Sequence, residues 1–313
     1  MAEKFSAALV REAAHRIHPF AYRTPVVSWQ GAGGQFFFKC ENLQRGGAFK
    51  VRGAANRILS IPKADLPRGV VAFSSGNHAQ ATAIVAQQLG VQATIVMPSD
   101  APRSKMEATQ ARGAKIVSYD RLTEDREEIA GRILRETGGT LVPPYNHHLI
   151  MAGAGTAALE LMEDAPDLDA LVVCVGGGGF LSGSATIAKD INPSIRVFGA
   201  EPERANDVWQ SLRAGKRIAI PPPDTIADGL RTLSPGELTF PVIQELVDGI
   251  FLISEEEILE AMRQVLYTLK LLVEPSGAVS AAAALFGKLP AGLNKVGVLL
   301  SGGNVDREFV RNL

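Results

Sequence analysis

"VVAFSSGNHAQATAIVAQQLGVQATIVMP", residues 70–98, places a β-rich run, a polar turn, an alanine-rich segment of helical spacing and a second β-rich run in succession. Working outward, "AKIVSYD" (114–120), "ALVVCVGG" (170–177), "RVFGAE" (196–201) and "KVGVLLSGG" (295–303) repeat the strand pattern. "APRSKMEATQARG", "IMAGAGTAALELMED" and "EEEILEAMRQVLYTLK" lie between them with helical spacing. The alternation predicts an α/β fold, a mainly parallel sheet with helices on both faces. The last of these helices follows Ser254, with Glu257 three residues on, which reads as a capping box. Residues 69–145 read as a small β-α-β-α-β lobe, and 1–68 with 146–313 as a larger one. "RIAIPPPDTIADGLRT" (217–232) is the one long aperiodic connection, and such loops are often functional.

The chain has 313 residues, 46% of them hydrophobic, enough for a large core. Its 32 lysines and arginines nearly cancel 33 acids, so no basic field attracts nucleic acid or anionic lipid, and a small-molecule partner is expected. Cys40 and Cys174 sit in apolar runs without CxxC spacing and read as core thiols of a reducing compartment. Arg11, Glu12 and His15 interrupt the apolar N-terminal stretch, so no secretory signal is expected. No segment reaches the ~18 apolar residues of a membrane span. The expectation is a soluble cytoplasmic protein.

Several strand ends carry chemistry. In "ENLQRGGAFKVRGAANRIL" (41–59), Lys50 follows a Gly-Gly-Ala-Phe turn at a helix start. It is either a solvated lysine or one held against a flat cofactor. The glycine cluster of "VCVGGGGFLSGSATIAKD" (173–190) is either a phosphate cradle or a tight structural turn. Glu201, some twenty residues on, imitates a dinucleotide site, but Leu181 or Ser182 stands where its third glycine belongs. A nicotinamide oxidoreductase is thereby weakened. "FSSGNHAQATAIVAQ" (73–87) offers two hydroxyls, a glycine and an amide, suited to a carboxylate or to capping a helix. "VGVLLSGGNVD" (296–306) ends a buried strand in Ser301, and parallel sheets bind ligands at such carboxyl ends. Glu201 and Asp207, six residues apart around Ala205, read from spacing alone as solvated surface acids more readily than as ligands of a hard cation. His147 and His148 are adjacent and unsuited to one ion.

Taken together, "ENLQRGGAFKVRGA", "SSGNHAQA", "VGGGGFLSG", "EPERAND", "TIADGLRT", "LVEPSGA" and "LSGGNVD" resemble the serine/threonine dehydratase and serine racemase family of fold-type-II pyridoxal-phosphate enzymes. The resemblance runs from about residue 5 to 310 and points to the racemase-like branch. It stops where biosynthetic threonine dehydratases continue into a regulatory domain, so isoleucine feedback is not expected. The implied fold is tryptophan-synthase-β-like, with two open twisted mainly parallel sheets flanked by helices, in a large and a small lobe.

The resemblance implies that Lys50 is the Schiff-base lysine, with Phe49 against the pyridine ring and Asn77 on the ring hydroxyl. Gly176, Gly177, Gly178 and Gly179 would cradle the phosphate of pyridoxal 5'-phosphate, and Ser301 would face the pyridine nitrogen. Ser74, Ser75, Asn77 and His78 would catch the substrate carboxylate, and Glu201, the carbonyl of Ala205 and Asp207 would hold a divalent cation: magnesium, with manganese or calcium as alternatives. The implied reaction is β-elimination from L-serine and L-threonine, with Lys50 taking the α-proton. Ser75 matches the racemases' second acid/base, so serine racemase is the first alternative. L-threo-3-hydroxyaspartate ammonia-lyase is the next, its second carboxylate calling for His147, His148 or an arginine such as Arg103. A non-catalytic amino-acid-binding protein would have no need of Lys50, Ser75 and Ser301 together. A homodimer with ATP as an effector between subunits completes the expectation.

Overall fold

The computed structural model describes residues 4–31, 33–101 and 103–313. Ten strands run in chain order: β1 Val26–Gly31, β2 Gly34–Cys40, β3 Val70–Phe73, β4 Ala93–Pro98, β5 Lys115–Tyr119, β6 Thr140–Leu141, β7 Ala170–Cys174, β8 Arg196–Pro202, β9 Gly249–Ile253 and β10 Lys295–Leu300. The helices are α1 Ala7–Ile17, α2 Lys50–Leu59, α3 Asn77–Leu89, α4 Arg103–Gln110, α5 Arg126–Thr137, α6 His148–Asp164, α7 Gly179–Ile191, α8 Asp207–Ala214, α9 Thr239–Leu246, α10 Glu255–Gln264, α11 Pro275–Leu285 and α12 Arg307–Arg311.

Two sheets result: a six-stranded one in the order β1-β2-β10-β7-β8-β9 and a four-stranded one in the order β5-β4-β3-β6. Every pairing is parallel except β1 with β2 at the edge of the large sheet. Parallel strands covered on both faces need apolar side chains in every position. β7, "ALVVC", and all of β10 after Lys295 are buried accordingly.

Helices α6 and α11 are buried on nearly every side, which their Ala and Gly content permits. A Cβ on Gly153 of α6 would collide with the Arg52 carbonyl, so α2 and α6 pack backbone to backbone. That contact fixes the helix that begins at Lys50. The core of the small sheet also takes in Val51, Ala54, Ala55 and Ile58 of α2, together with Ile17 and Ile150. The helix expected through Lys270 is α only as far as Gln264; Val265–Leu269 widens to a π turn. The capping box at Ser254 and Glu257 is present. Among the described residues no helix is long and apolar enough to cross a membrane.

Candidate active site

The carboxyl ends of β3, β7 and β10 open toward one cleft, and short contacts tie their loops together. The Phe49 N–H donates to the Ser301 carbonyl at 3.0 Å and the Gly303 N–H to the Gly47 carbonyl at 2.9 Å, joining the turn before Lys50 to the end of β10. The Phe49 ring stacks on Phe180, centroids 3.9 Å apart and planes 10° from parallel, joining the same turn to the first turn of α7. Lys50 Nζ donates to the Pro144 carbonyl at 2.9 Å and lies 5.1 Å from the Phe49 ring centre. Loss of water around the amine lowers its pKa from 10.5 to about 8, against the opposing pull of Cys174 and Glu274. An amine so placed loses its proton readily and becomes a nucleophile and a base.

The glycine turn at the end of β7 fits an anion. Among the described residues the N–H groups of Gly176, Gly177 and Gly178 donate to no backbone or side-chain acceptor. That of Gly179 opens α7, where no intrahelical partner exists. Four consecutive donors at a helix start are the donor set a phosphate group requires.

At the end of β3, Asn77 Nδ2 donates to Glu274 Oε1 at 2.6 Å while its Oδ1 accepts from Asn304 Nδ2 at 2.9 Å. One Nδ2 hydrogen is left for a ligand. Ser74 Oγ accepts from the Gly76 N–H at 3.2 Å, whereas Ser75 Oγ makes no hydrogen bond among the described residues. The His78 imidazole points away: it is buried, lies 2.8 Å from the Val142 carbonyl, and burial pushes its pKa down to about 3. What His78 presents to the turn is its backbone. Ser301 Oγ donates to the Ser276 carbonyl at 3.3 Å and is an uncharged partner for any ring beside it.

Glu201 and Asp207 are both buried, with Ala205 also buried between them, and do not form the solvated surface that spacing alone suggests. Glu201 Oε1 accepts from the Trp209 N–H at 2.7 Å, but its buried Oε2 has no partner. The Asp207 carboxylate accepts from the Thr232 hydroxyl, at 3.3 Å and 3.4 Å, and from no other side chain among the described residues. Burial pushes both carboxyls above their ordinary range, and the neighbouring Asp207 adds to the effect on Glu201. Among the described residues no three His, Cys, Asp or Glu side chains converge, so these side chains amount to a carboxylate pair. The orphaned Oε2 is what a hard cation would satisfy.

Sequence reasoning passed over four side chains. Glu274, in "LVEPSGA", caps α11 and is 4% exposed; burial first, then Asp228, pushes its pKa up to about 8. Tyr145 leans on the glycine turn. Arg126 opens α5 with its guanidinium 5.2 Å from the Phe73 ring, beside the Ser74–Asn77 turn. Lys105 on α4 donates to Asp228 Oδ2 at 2.6 Å across the cleft. A lone charged residue in a motif carries no spacing signal, and only the fold shows where it ends up. The three side chains considered for a second carboxylate have other contacts. His147 Nδ1 caps α6 at the Leu149 N–H, the His148 ring packs on Phe5, and Arg103 pairs with Glu107.

The family described as "pyridoxal-phosphate dependent enzyme" matches residues 17–302. A serine racemase of Schizosaccharomyces pombe is 46% identical over 303 residues, spanning 96% of this chain and 94% of its own length. An L-threo-3-hydroxyaspartate ammonia-lyase of Saccharomyces cerevisiae is 47% identical over 301 residues, spanning 95% and 92%. The structure of maize serine racemase superposes with a TM-score of 0.95 at 43% identity, covering 99% of this chain and 97% of the other.

Proposed function

The chain belongs to the pyridoxal-phosphate dependent enzymes, and from that premise we propose that it removes the β-hydroxyl and amine of L-serine and L-threonine, giving the 2-oxo acid and ammonia. The observation that carries this reading is the Lys50 amine, lowered to about pKa 8 and held by one carbonyl beside four unengaged N–H groups. Pyridoxal phosphate, when bound, supplies an aldehyde and an electron-withdrawing ring that make the substrate α-proton acidic. Lys50 would hold it covalently, and Phe49, Asn77, Gly176–Gly179 and Ser301 would surround it. The N–H groups of the Ser74–Asn77 turn, at the start of α3, are placed to orient a carboxylate. Lys50 Nζ, neutral above about pH 8, accepts the α-proton. Ser301 offers a hydroxyl without charge, which limits electron withdrawal and favours loss of the β-substituent over longer-lived carbanions.

Two observations keep alternatives in view. The unengaged Ser75 hydroxyl is a donor and acceptor for racemisation, the activity named for the fission-yeast and maize relatives. Arg126, beside the carboxylate turn, suits the second carboxylate of 3-hydroxyaspartate. The deciding experiment incubates cofactor-loaded protein with L-serine, L-threonine and L-threo-3-hydroxyaspartate and follows 2-oxo acid and D-isomer together. Dominant 2-oxo acid from serine and threonine is expected. Dominant D-serine would replace the reading with the racemase, and turnover confined to hydroxyaspartate with the ammonia-lyase.

Four further readings accompany this one. A divalent cation, magnesium first, is supported by the orphaned Glu201 Oε2 beside Asp207 and Ala205. A homodimer is supported by Tyr22, Leu43 and Leu272, exposed apolar side chains brought to one face by the Gln44–Tyr22 and Asn42–Leu272 hydrogen bonds. An ATP effector would bind between such subunits. Residues 69–145 would move as a small lobe against the remainder, with Lys105–Asp228 the ion pair between them.

A further inference from the structure

The long aperiodic connection closes on the turn Asp228–Leu230, and its backbone shows what holds it. Most N–H groups of residues 225–230 turn inward: that of Asp228 donates to the Ile226 carbonyl and that of Leu230 to the Ala227 carbonyl, both at 2.9 Å, and that of Ala227 to Thr225 Oγ1 at 3.2 Å. Among the described residues, the N–H groups of Ile226 and Gly229 are the two that reach outside the segment, to Glu255 Oε2 at 2.8 Å and to Ser276 Oγ at 2.9 Å. Ser276 is a firm anchor. It is buried in the first turn of α11, where a Cβ on the next residue, Gly277, would collide with the Gly302 carbonyl and where the Glu274 N–H donates to that same carbonyl at 3.0 Å. The start of α11 therefore packs backbone to backbone on the end of β10, and the Ser276 carbonyl accepts from the Ser301 hydroxyl at 3.3 Å. One serine thus engages Ser301 through its main chain and the Asp228–Leu230 turn through its side chain.

The anchored turn touches both halves of the cleft. A Cβ on Gly176 would come within 3.4 Å of Leu230 Cα and 3.6 Å of the Gly229 carbonyl, so the turn rests against the glycine turn. Asp228, one residue before the anchored N–H, accepts from Lys105 of α4 at 2.6 Å. We propose that Ser276 is a positioning residue for substrate capture: its hydroxyl fixes the Asp228–Leu230 turn, and with it the carboxylate that draws the small lobe down over the cleft. The inference rests on the reading of Lys105–Asp228 as the ion pair between two lobes. Gly229 is otherwise exposed, so without the hydroxyl its N–H turns to water and the turn loses its anchor. An Asp228 held in place gives Lys105 one geometry to meet. On a loosened turn the same pair must also order the backbone that carries it, and that entropy opposes closure.

The test compares cofactor-loaded wild type, Ser276→Ala, Lys105→Ala and the double variant, using the amino acid that the wild type turns over fastest. In Ser276→Ala the amides of residues 225–232 should exchange with deuterium faster before any substrate is added. The KM should rise about tenfold for one lost hydrogen bond while kcat holds, since the loss falls on capture and not on proton transfer. Lys105→Ala should raise the KM of the wild type and add little in the Ser276→Ala background, because both act through one turn. Unchanged exchange overturns the proposal, as do KM effects that multiply independently. So does a fall in kcat at constant KM, which would put the serine in the service of Ser301 alone. A Lys105→Ala protein with the wild-type KM would instead remove the inter-lobe reading on which the proposal rests.

Discussion

Lys50 and Arg52 stand two residues apart on α2 and occupy opposite electrostatic worlds. Arg52 is fully buried and answered at every nitrogen: Glu41 at 2.7 Å and 2.9 Å, Glu160 at 2.8 Å twice, Thr156 at 3.1 Å and the Tyr22 carbonyl at 3.1 Å. Buried Lys39 joins the same cluster through Glu160 at 2.7 Å and the Thr24 carbonyl at 2.6 Å. Partners of opposite sign hold the guanidinium charged, with its pKa raised despite burial. Lys50 has one carbonyl and a lowered pKa. Across the cleft Glu201 and Glu274 are likewise raised. Charges that the fold satisfies are architecture, and charges it leaves wanting mark where ligands go.

The comparison can be broken most sharply at its two poles. Lys50→Ala should abolish covalent cofactor attachment and turnover while leaving thermal stability unchanged or raised, since a poorly solvated amine is removed. Mass spectrometry after borohydride reduction and a melting curve check both halves. In the wild-type apoprotein, cofactor capture should accelerate as pH rises through about 8, where Lys50 gives up its proton. Arg52→Ala should do the reverse, costing about 3–5 kcal/mol in chemical denaturation because buried Glu41 and part-buried Glu160 lose the guanidinium they share. Cofactor-binding groups would remain, so a stable Arg52→Ala protein would end the architectural reading.

The cation pair is an intermediate case. Magnesium should raise the wild-type melting temperature, by a gain of about 2–3 kcal/mol at roughly a hundredfold excess over its dissociation constant. Asp207→Ala should erase that response, and identical wild-type curves with magnesium and with chelator would remove the ion. At Glu274 the expected effect is a slope, small over any one pH unit. Its carboxyl is pushed from 4.5 to about 8, so between those values the native state binds more protons than the unfolded chain. That share of stability is present at the acid side and is lost as pH rises toward 8, at no more than about 1.4 kcal/mol per pH unit. Glu274→Gln should flatten that slope; an equal slope in both proteins would show that other groups set it.

The quoted strand–turn–helix unit was legible because buried parallel strands and their helices differ in period and composition; β3, β4, β5, β7 and β10 fall inside the runs read as strands, and β8 passes the end of its run by one residue. The antiparallel β1 and the short β6 and β9 were not, since half-buried edge strands carry a weak apolar pattern. The likeness to a family marked Lys50, Asn77 and the glycines, and the fold brings their turns into one cleft. It could not show that the His78 ring turns to Val142, or that buried Arg52 joins Glu41 to Glu160. Charged residues far apart in sequence reveal neither burial nor partners until the chain is folded.

The position of β10 has a consequence for how the protein is made. This strand, the last of the ten in chain order, is inserted between β2 and β7, both of which emerge from the ribosome well before it. Until it arrives, β2 and β7 each present an open edge, and Ser301 and the contacts that hold the Lys50 turn do not exist. The strands of the four-stranded sheet pair within residues 70–141, and the α2 residues of its core precede them in the chain, so it can form while translation continues. A nascent chain therefore carries one finished sheet and one sticky, unfinished one, and is exposed to aggregation until β10 has been made.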